Sequence, residues 1–182
     1  LKEYGCERPT HIFVQAGVGS LAGAVVGYYS NLYADNPPTF VVVEAEAAAC
    51  LYKGAAAGDG DIRIVDGDME TIMAGLACGE PNTISWDILK NHVKVFIAAP
   101  DWVAANGMRM LGAPIKGDAP VTSGESGAAP FGALAAVMTM DEYKDLRNDI
   151  GLDASSKVLL FSTEGDTDPD RYKNIVWKGL DK

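Results

Sequence analysis

Four stretches of this chain carry residue types suited to chemistry. The first is Gln15-Ala16-Gly17-Val18-Gly19-Ser20-Leu21. Its small residues let backbone N–H groups approach a ligand closely. A helix following it would add the positive partial charge of its N-terminus, and the two together make a phosphate site. The second, Gly75-Leu76-Ala77-Cys78-Gly79-Glu80-Pro81, reads as a turn. The third, Ser123-Gly124-Glu125-Ser126-Gly127-Ala128-Ala129, sets a carboxylate and hydroxyls among small residues just before a helix. The fourth, Phe161-Ser162-Thr163-Glu164-Gly165-Asp166-Thr167-Asp168, is a polar cluster that follows a strand.

The elements that position these stretches follow from hydrophobic pattern. His11-Ile12-Phe13-Val14-Gln15 is a β-branched and aromatic run, hence a strand. Residues 21–33 have helical spacing and end before Pro37-Pro38. Residues 40–43 are continuously apolar, which predicts a strand buried on both faces, as in a parallel sheet. Residues 47–57 read as a second helix and residues 93–97 as a third strand. Further helices are expected over residues 100–111, 132–140 and 141–150, and a fourth strand over 157–161. The Gly- and Asp-rich residues 54–67 read as a loop, with a short strand at 62–65. Alternating strands and helices predict an α/β fold, a parallel sheet flanked by helices. In such sheets ligands bind off the carboxyl ends of the strands. The glycine turn and the Ser162-Thr163 pair both fall at such ends.

Composition narrows the function classes. The 182 residues are 48% hydrophobic and 22% charged, enough for one real core and far from a disordered or disulfide-scaffold composition. A formal charge of −10, with no Lys/Arg cluster, argues against a nucleic-acid partner. No apolar run reaches the length of a membrane span, so no membrane partner is expected. Cys6, Cys50 and Cys78 form no C-x-x-C pair, which fits a reducing cytoplasm and no zinc site. A Cys50–Cys78 bridge has no motif behind it, and His11 and His92 read as structural. The chain opens on Leu1-Lys2-Glu3-Tyr4-Gly5 without Met, which reads as the last turn of a helix cut from a longer protein.

Two phosphate ligands compete for the glycine turn. Gly17-x-Gly19-x-x-Ala22 fits a loose dinucleotide fingerprint, with Glu44 spaced for a ribose contact. A nicotinamide-dependent protein is that alternative. Pyridoxal 5′-phosphate (PLP) is the other, because a single ligand with a phosphate at one end and a ring nitrogen at the other could touch both strand ends. The four stretches, in their order, resemble the C-terminal portion of fold-type II PLP enzymes, the tryptophan synthase β and threonine deaminase group. Within it they are most similar to the diaminopropionate ammonia-lyase family. The resemblance covers essentially the whole chain, read as a single partial α/β domain over residues 1–182, the C-terminal part of the large domain.

The resemblance implies a PLP-dependent carbon–nitrogen lyase that converts 2,3-diaminopropionate to pyruvate and ammonia. A serine/threonine dehydratase of the same superfamily is the other enzyme reading. It implies that Gly17, Val18, Gly19 and Ser20 cradle the PLP phosphate. Ser162 or Thr163 would meet the pyridine nitrogen, with the tryptophan synthase pattern favouring Ser162. Glu125 would be an acid near the ring, or equally an acid stabilised by a helix N-terminus. A neutral hydroxyl at the ring nitrogen favours β-elimination over transamination. The family's Schiff-base lysine precedes the glycine turn, where this chain has only Lys2, without the serine-preceded context. That lysine is therefore expected upstream of this chain, and the chain alone is expected to be inactive. A cytoplasmic homodimer is the implied full-length form.

Overall fold

The structure, a computed structural model, describes residues 8–180. Four strands form one sheet: β1 (His11–Gln15), β2 (Thr39–Ala45), β3 (Val95–Ala99) and β4 (Val158–Leu159). Their order is β3-β2-β1-β4, and every pairing is parallel. The run at 40–43 is buried on both faces, as its continuous apolarity requires. Alternation sorts the two faces. Ile12, Val14, Phe40 and Val42 pack with α1 (Ser20–Leu32) and with Trp86 and Leu89 of α3 (Thr83–His92). Phe13, Val41 and Val43 pack with α4 (Asp101–Gly112) and α5 (Glu125–Thr139).

The expected helix over 47–57 divides at Ala49 into a 3-10 turn (Glu46–Ala48) and α2 (Cys50–Ala57). The segment 141–150 likewise divides into a 3-10 turn (Asp141–Tyr143) and α6 (Lys144–Asp149). No strand forms at 62–65; Val65 only donates its N–H to the Gly79 carbonyl. The strand at 157–161 shortens to two residues, because only β1 pairs with it among the described elements.

Two helices lie where sequence pattern offers none. α3 starts at Asn82, whose side chain accepts the Ser85 N–H at 2.9 Å. α7 (Pro169–Val176) starts at Asp168, which accepts the Arg171 N–H at 3.0 Å, with Pro169 in the first turn. A third helix is longer than expected, since α5 begins at Glu125 rather than near Gly132. A glycine on each of α4 and α5 serves a close approach of the two helices. A Cβ on Gly107 would sit 2.4 Å from the Ala128 carbonyl oxygen, and one on Gly132 only 1.9 Å from that of Val103. The backbones of α4 and α5 therefore touch directly. The Leu1–Gly5 helix end, Lys2 and Cys6 lie outside the described residues.

Candidate functional site

The glycine turn leaves the carboxyl end of β1 and enters α1. Gly19 takes φ +93°, the left-handed region that favours glycine. Leu89 and Leu51 close over it, with methyl carbons 3.1 Å and 3.3 Å from where a Cβ would stand. No side chain caps the start of α1, so its first-turn N–H groups remain available to a ligand. Asn82 donates its N–H to the Val18 carbonyl at 2.8 Å, and Ala16 donates to Val43 at 2.9 Å, which hold the turn at both ends.

A cavity of about 290 Å³ opens above this turn. Residues 15–21 form one wall; Gly75, Leu76, Cys78, Ser126, Thr163 and Glu164 form the rest. All four sequence stretches thus contribute to one cavity. A larger hollow of about 630 Å³ follows the half-buried outer edge of β3, lined mainly by apolar residues. None of the four stretches reaches it.

Within the 162–168 cluster the two hydroxyls differ. Thr163 lines the cavity, and the Gln15 side-chain amide donates to its Oγ1 at 2.8 Å and to the Phe161 carbonyl at 2.8 Å. Ser162 turns away and donates to Ser123 Oγ at 2.9 Å. Glu164 folds back over α5, where one carboxylate oxygen accepts the N–H groups of Ser126 and Gly127, the latter at 3.1 Å. That caps α5 with a negative charge at its positive end. Glu125 is the first residue of α5 but lies outside the cavity wall, 3.1 Å from the Arg171 guanidinium. Burial outweighs that cation and raises its carboxyl above the usual range.

Glu44 cannot serve a ribose. It is 1% exposed, and its two oxygens accept the N–H groups of Leu51 at 2.9 Å and Tyr52 at 2.7 Å. Burial pushes its carboxyl up to about 7. The adjacent Cys50 thiol is pushed up to about 12 by burial and by that carboxylate, so it stays protonated. Cys50 and Cys78 are both free thiols, and Cys50 Sγ lies 3.5 Å from the Cys78 carbonyl oxygen. His11 is buried and joined to the Ile150 carbonyl, a structural role.

Residues 1–160 match the family model described as pyridoxal-phosphate dependent enzyme. The chain belongs to that family. Among its relatives, diaminopropionate ammonia-lyase of Salmonella typhimurium is 53% identical over 98% of this chain and 45% of its own length. The Escherichia coli enzyme of that name is 47% identical over 98% of the chain and 44% of its own. The present chain thus spans under half the length of these curated relatives. A crystal structure of the E. coli enzyme, in complex with an aminoacrylate–PLP azomethine reaction intermediate, superposes with a TM-score of 0.89 at 44% identity, again over 98% of this chain and 44% of the other. Maize serine racemase shares the fold, with a TM-score of 0.71 at 20% identity over 97% of this chain and 50% of the other.

Family motifs alone leave two side chains of the site without a role. Gln15 is a buried amide closing the apolar run Ile12-Phe13-Val14, and that polar end is the signal that finds it. Glu164 sits in a polar cluster whose spacing does not reveal that it reaches 37 residues back to Gly127. Among the described residues, no helix is long and apolar enough to cross a membrane.

Proposed function

We propose that the full-length protein is a PLP-dependent carbon–nitrogen lyase. It eliminates ammonia from 2,3-diaminopropionate and yields pyruvate. The observation that carries this reading is 53% identity to a diaminopropionate ammonia-lyase across 98% of the chain. The chain is the C-terminal part of the large domain in this proposal. The cytoplasm and a homodimer complete it, with a small amino acid as substrate and no nucleic-acid or membrane partner.

The residues present fit PLP. Gly17 and Gly19 leave backbone donors uncovered on the cavity wall, and α1 lacks a side-chain cap there. Gln15 Oε1 is buried without a hydrogen-bond partner on that same wall, a polar atom awaiting a donor. When bound, PLP supplies an electron sink for the negative charge left at Cα by proton removal.

The chain's own residues would then act as follows. The N–H groups of residues 17–20 and the Ser20 hydroxyl hold the phosphate at the α1 N-terminus. Thr163 Oγ1 already accepts a hydrogen bond from the Gln15 amide, so its O–H proton is left to donate to the pyridine nitrogen. The Ser162 proton is committed to Ser123, which favours Thr163 over Ser162 for that contact. A hydroxyl does not ionise the ring, so it tempers the sink and favours elimination at Cβ. Glu125 pairs with Arg171 of α7 instead of touching the ring. No lysine lines this cavity among the described residues, and the Schiff-base lysine is assigned to the portion beyond this chain.

The test is a pyruvate assay on the full-length protein with 2,3-diaminopropionate, serine and threonine, alongside absorbance at roughly 410–430 nm after desalting. Turnover of 2,3-diaminopropionate well above the other two supports the reading. Preference for serine or threonine moves the protein to the dehydratases, and absence of retained PLP overturns the cofactor assignment.

A further inference from the structure

The glycine turn does not hold its own shape. Its floor is the first turn of α2. The Leu51 methyl carbons lie 3.3 and 3.5 Å from where a Cβ on Gly19 would stand. Cys50 Sγ reaches the Gly17 carbonyl at 3.9 Å and that of Cys78 at 3.5 Å. Two consecutive residues of α2 therefore bear on both glycines of the turn.

That first turn of α2 is in its own way held from below. Ala49, its N-cap residue, offers no side-chain acceptor. Glu44, at the end of β2, supplies one instead, with a separate carboxylate oxygen for each of the Leu51 and Tyr52 N–H groups. A fully buried carboxylate is costly to desolvate. A core residue serving packing alone would be apolar at this position. Only an acceptor with two oxygens fixes both N–H groups and so the rotation of α2 about its start.

We propose that Glu44 is a positioning residue for the phosphate turn, acting through Leu51 and Cys50 on Gly19 and Gly17. The proposal rests on the PLP reading of the site. Glu44 touches no ligand itself. It fixes where α2 presents Leu51, and through Leu51 the direction in which the N–H groups of residues 19 and 20 point. Phosphate binding depends on that direction, since an N–H bond weakens steeply once misaligned.

Glu44→Gln keeps the volume but replaces one acceptor oxygen with an NH2 that faces an N–H. Leu51→Ala keeps the carboxylate and removes the contact with Gly19. Both variants are made in the full-length protein, freed of cofactor, and titrated at pH 8 with PLP and separately with inorganic phosphate. Melting temperatures of the cofactor-free proteins are recorded in parallel. The expected result is dissociation constants for both probes raised about tenfold in each single variant, with the double variant little worse than either, because both changes act along one path. A Glu44→Gln protein that melts lower but binds both probes within twofold of wild type has a structural residue only, and the proposal fails. Should Glu44→Gln not fold, unchanged binding in Leu51→Ala overturns it equally. Wild-type protein that binds no PLP defeats the functional reading itself, a result distinct from either of these.

Discussion

The Gln15 side-chain amide nitrogen stands 2.8 Å from the Thr163 hydroxyl oxygen, joining the ends of β1 and the 162–168 turn across 148 residues of sequence. A hydroxyl that accepts from an amide has its own proton free for a third group. Thr163→Val in the full-length protein removes that proton and leaves a buried Gln15 donor short of a partner. Elimination should slow by roughly 10- to 100-fold, on the scale of a lost oriented hydrogen-bond donor. Thr163→Ser should restore most of it, and Ser162→Ala should cost less than Thr163→Val. Equal losses in Thr163→Val and Ser162→Ala would contradict the assignment of Thr163. Steady-state pyruvate production is the measurement.

Gly19 combines a positive φ with leucine methyl groups on its Cβ side. Gly19→Ala is therefore strained twice. A loss of about 1–3 kcal/mol in stability is expected, with weaker PLP retention. Thermal melting and cofactor content after dialysis check both, and a variant with wild-type values for each refutes the strain argument.

Glu44 gives a pH signature in stability. Its carboxyl rises from an ordinary 4.5 to about 7 in the folded protein, with burial the largest cause. Between those two values the folded state binds more protons than the unfolded state. The contribution is thus fully present below about 4.5 and lost as pH rises through about 7. Cys50, the ionisable neighbour that feels Glu44, stays neutral across this window. The unfolding free energy of wild type relative to Glu44→Gln should fall by on the order of 2–3 kcal/mol from pH 4.5 to 8. Denaturant titrations across that range test it; a difference that grows with pH is the contrary outcome.

Gly132→Ala places a methyl group on the Val103 carbonyl oxygen. Neither backbone can yield without parting α4 from α5. A loss of about 3 kcal/mol is expected, or a melting temperature lower by roughly 6–12 °C. Gly165→Ala, where a Cβ meets nothing within 4 Å, is the matched control and should melt near wild type.

Sequence pattern carries much of this architecture, for physical reasons visible at particular residues. The run at 40–43 announces a strand covered on both sides, because four adjacent apolar side chains cannot share one face. The glycine turn is equally legible, since strand, small residues and helix occur within a few positions. The start of α5 is not. Glycine and serine at 123–127 carry loop propensity, and only the close approach of Glu164 and Gly165 to Gly124 and of Thr163 to Gly127 shows why this helix start needs them. α3 and α7 are not legible either, because their starts rest on single capping side chains, Asn82 and Asp168, with no helical pattern behind them strong enough to predict a helix. In the site, the wall formed by residues 15–21 is local in sequence and readable. The choice between Ser162 and Thr163 depends on partners at Ser123 and Gln15, 39 and 148 residues away, which no local pattern encodes.

The direct contact of α4 with α5 has a mechanical meaning. Helices kept apart by side chains can slide as rotamers change, but two backbones in contact have no such bearing between them. Ser126 and the Glu164-capped start of α5 are thus part of a fixed bench, referenced to the end of β3 through the first turn of α4. The 162–168 turn is tied to the same bench, since Gly124 donates its N–H to the Glu164 carbonyl at 3.1 Å and the Glu164 carboxylate accepts from Ser126 and Gly127.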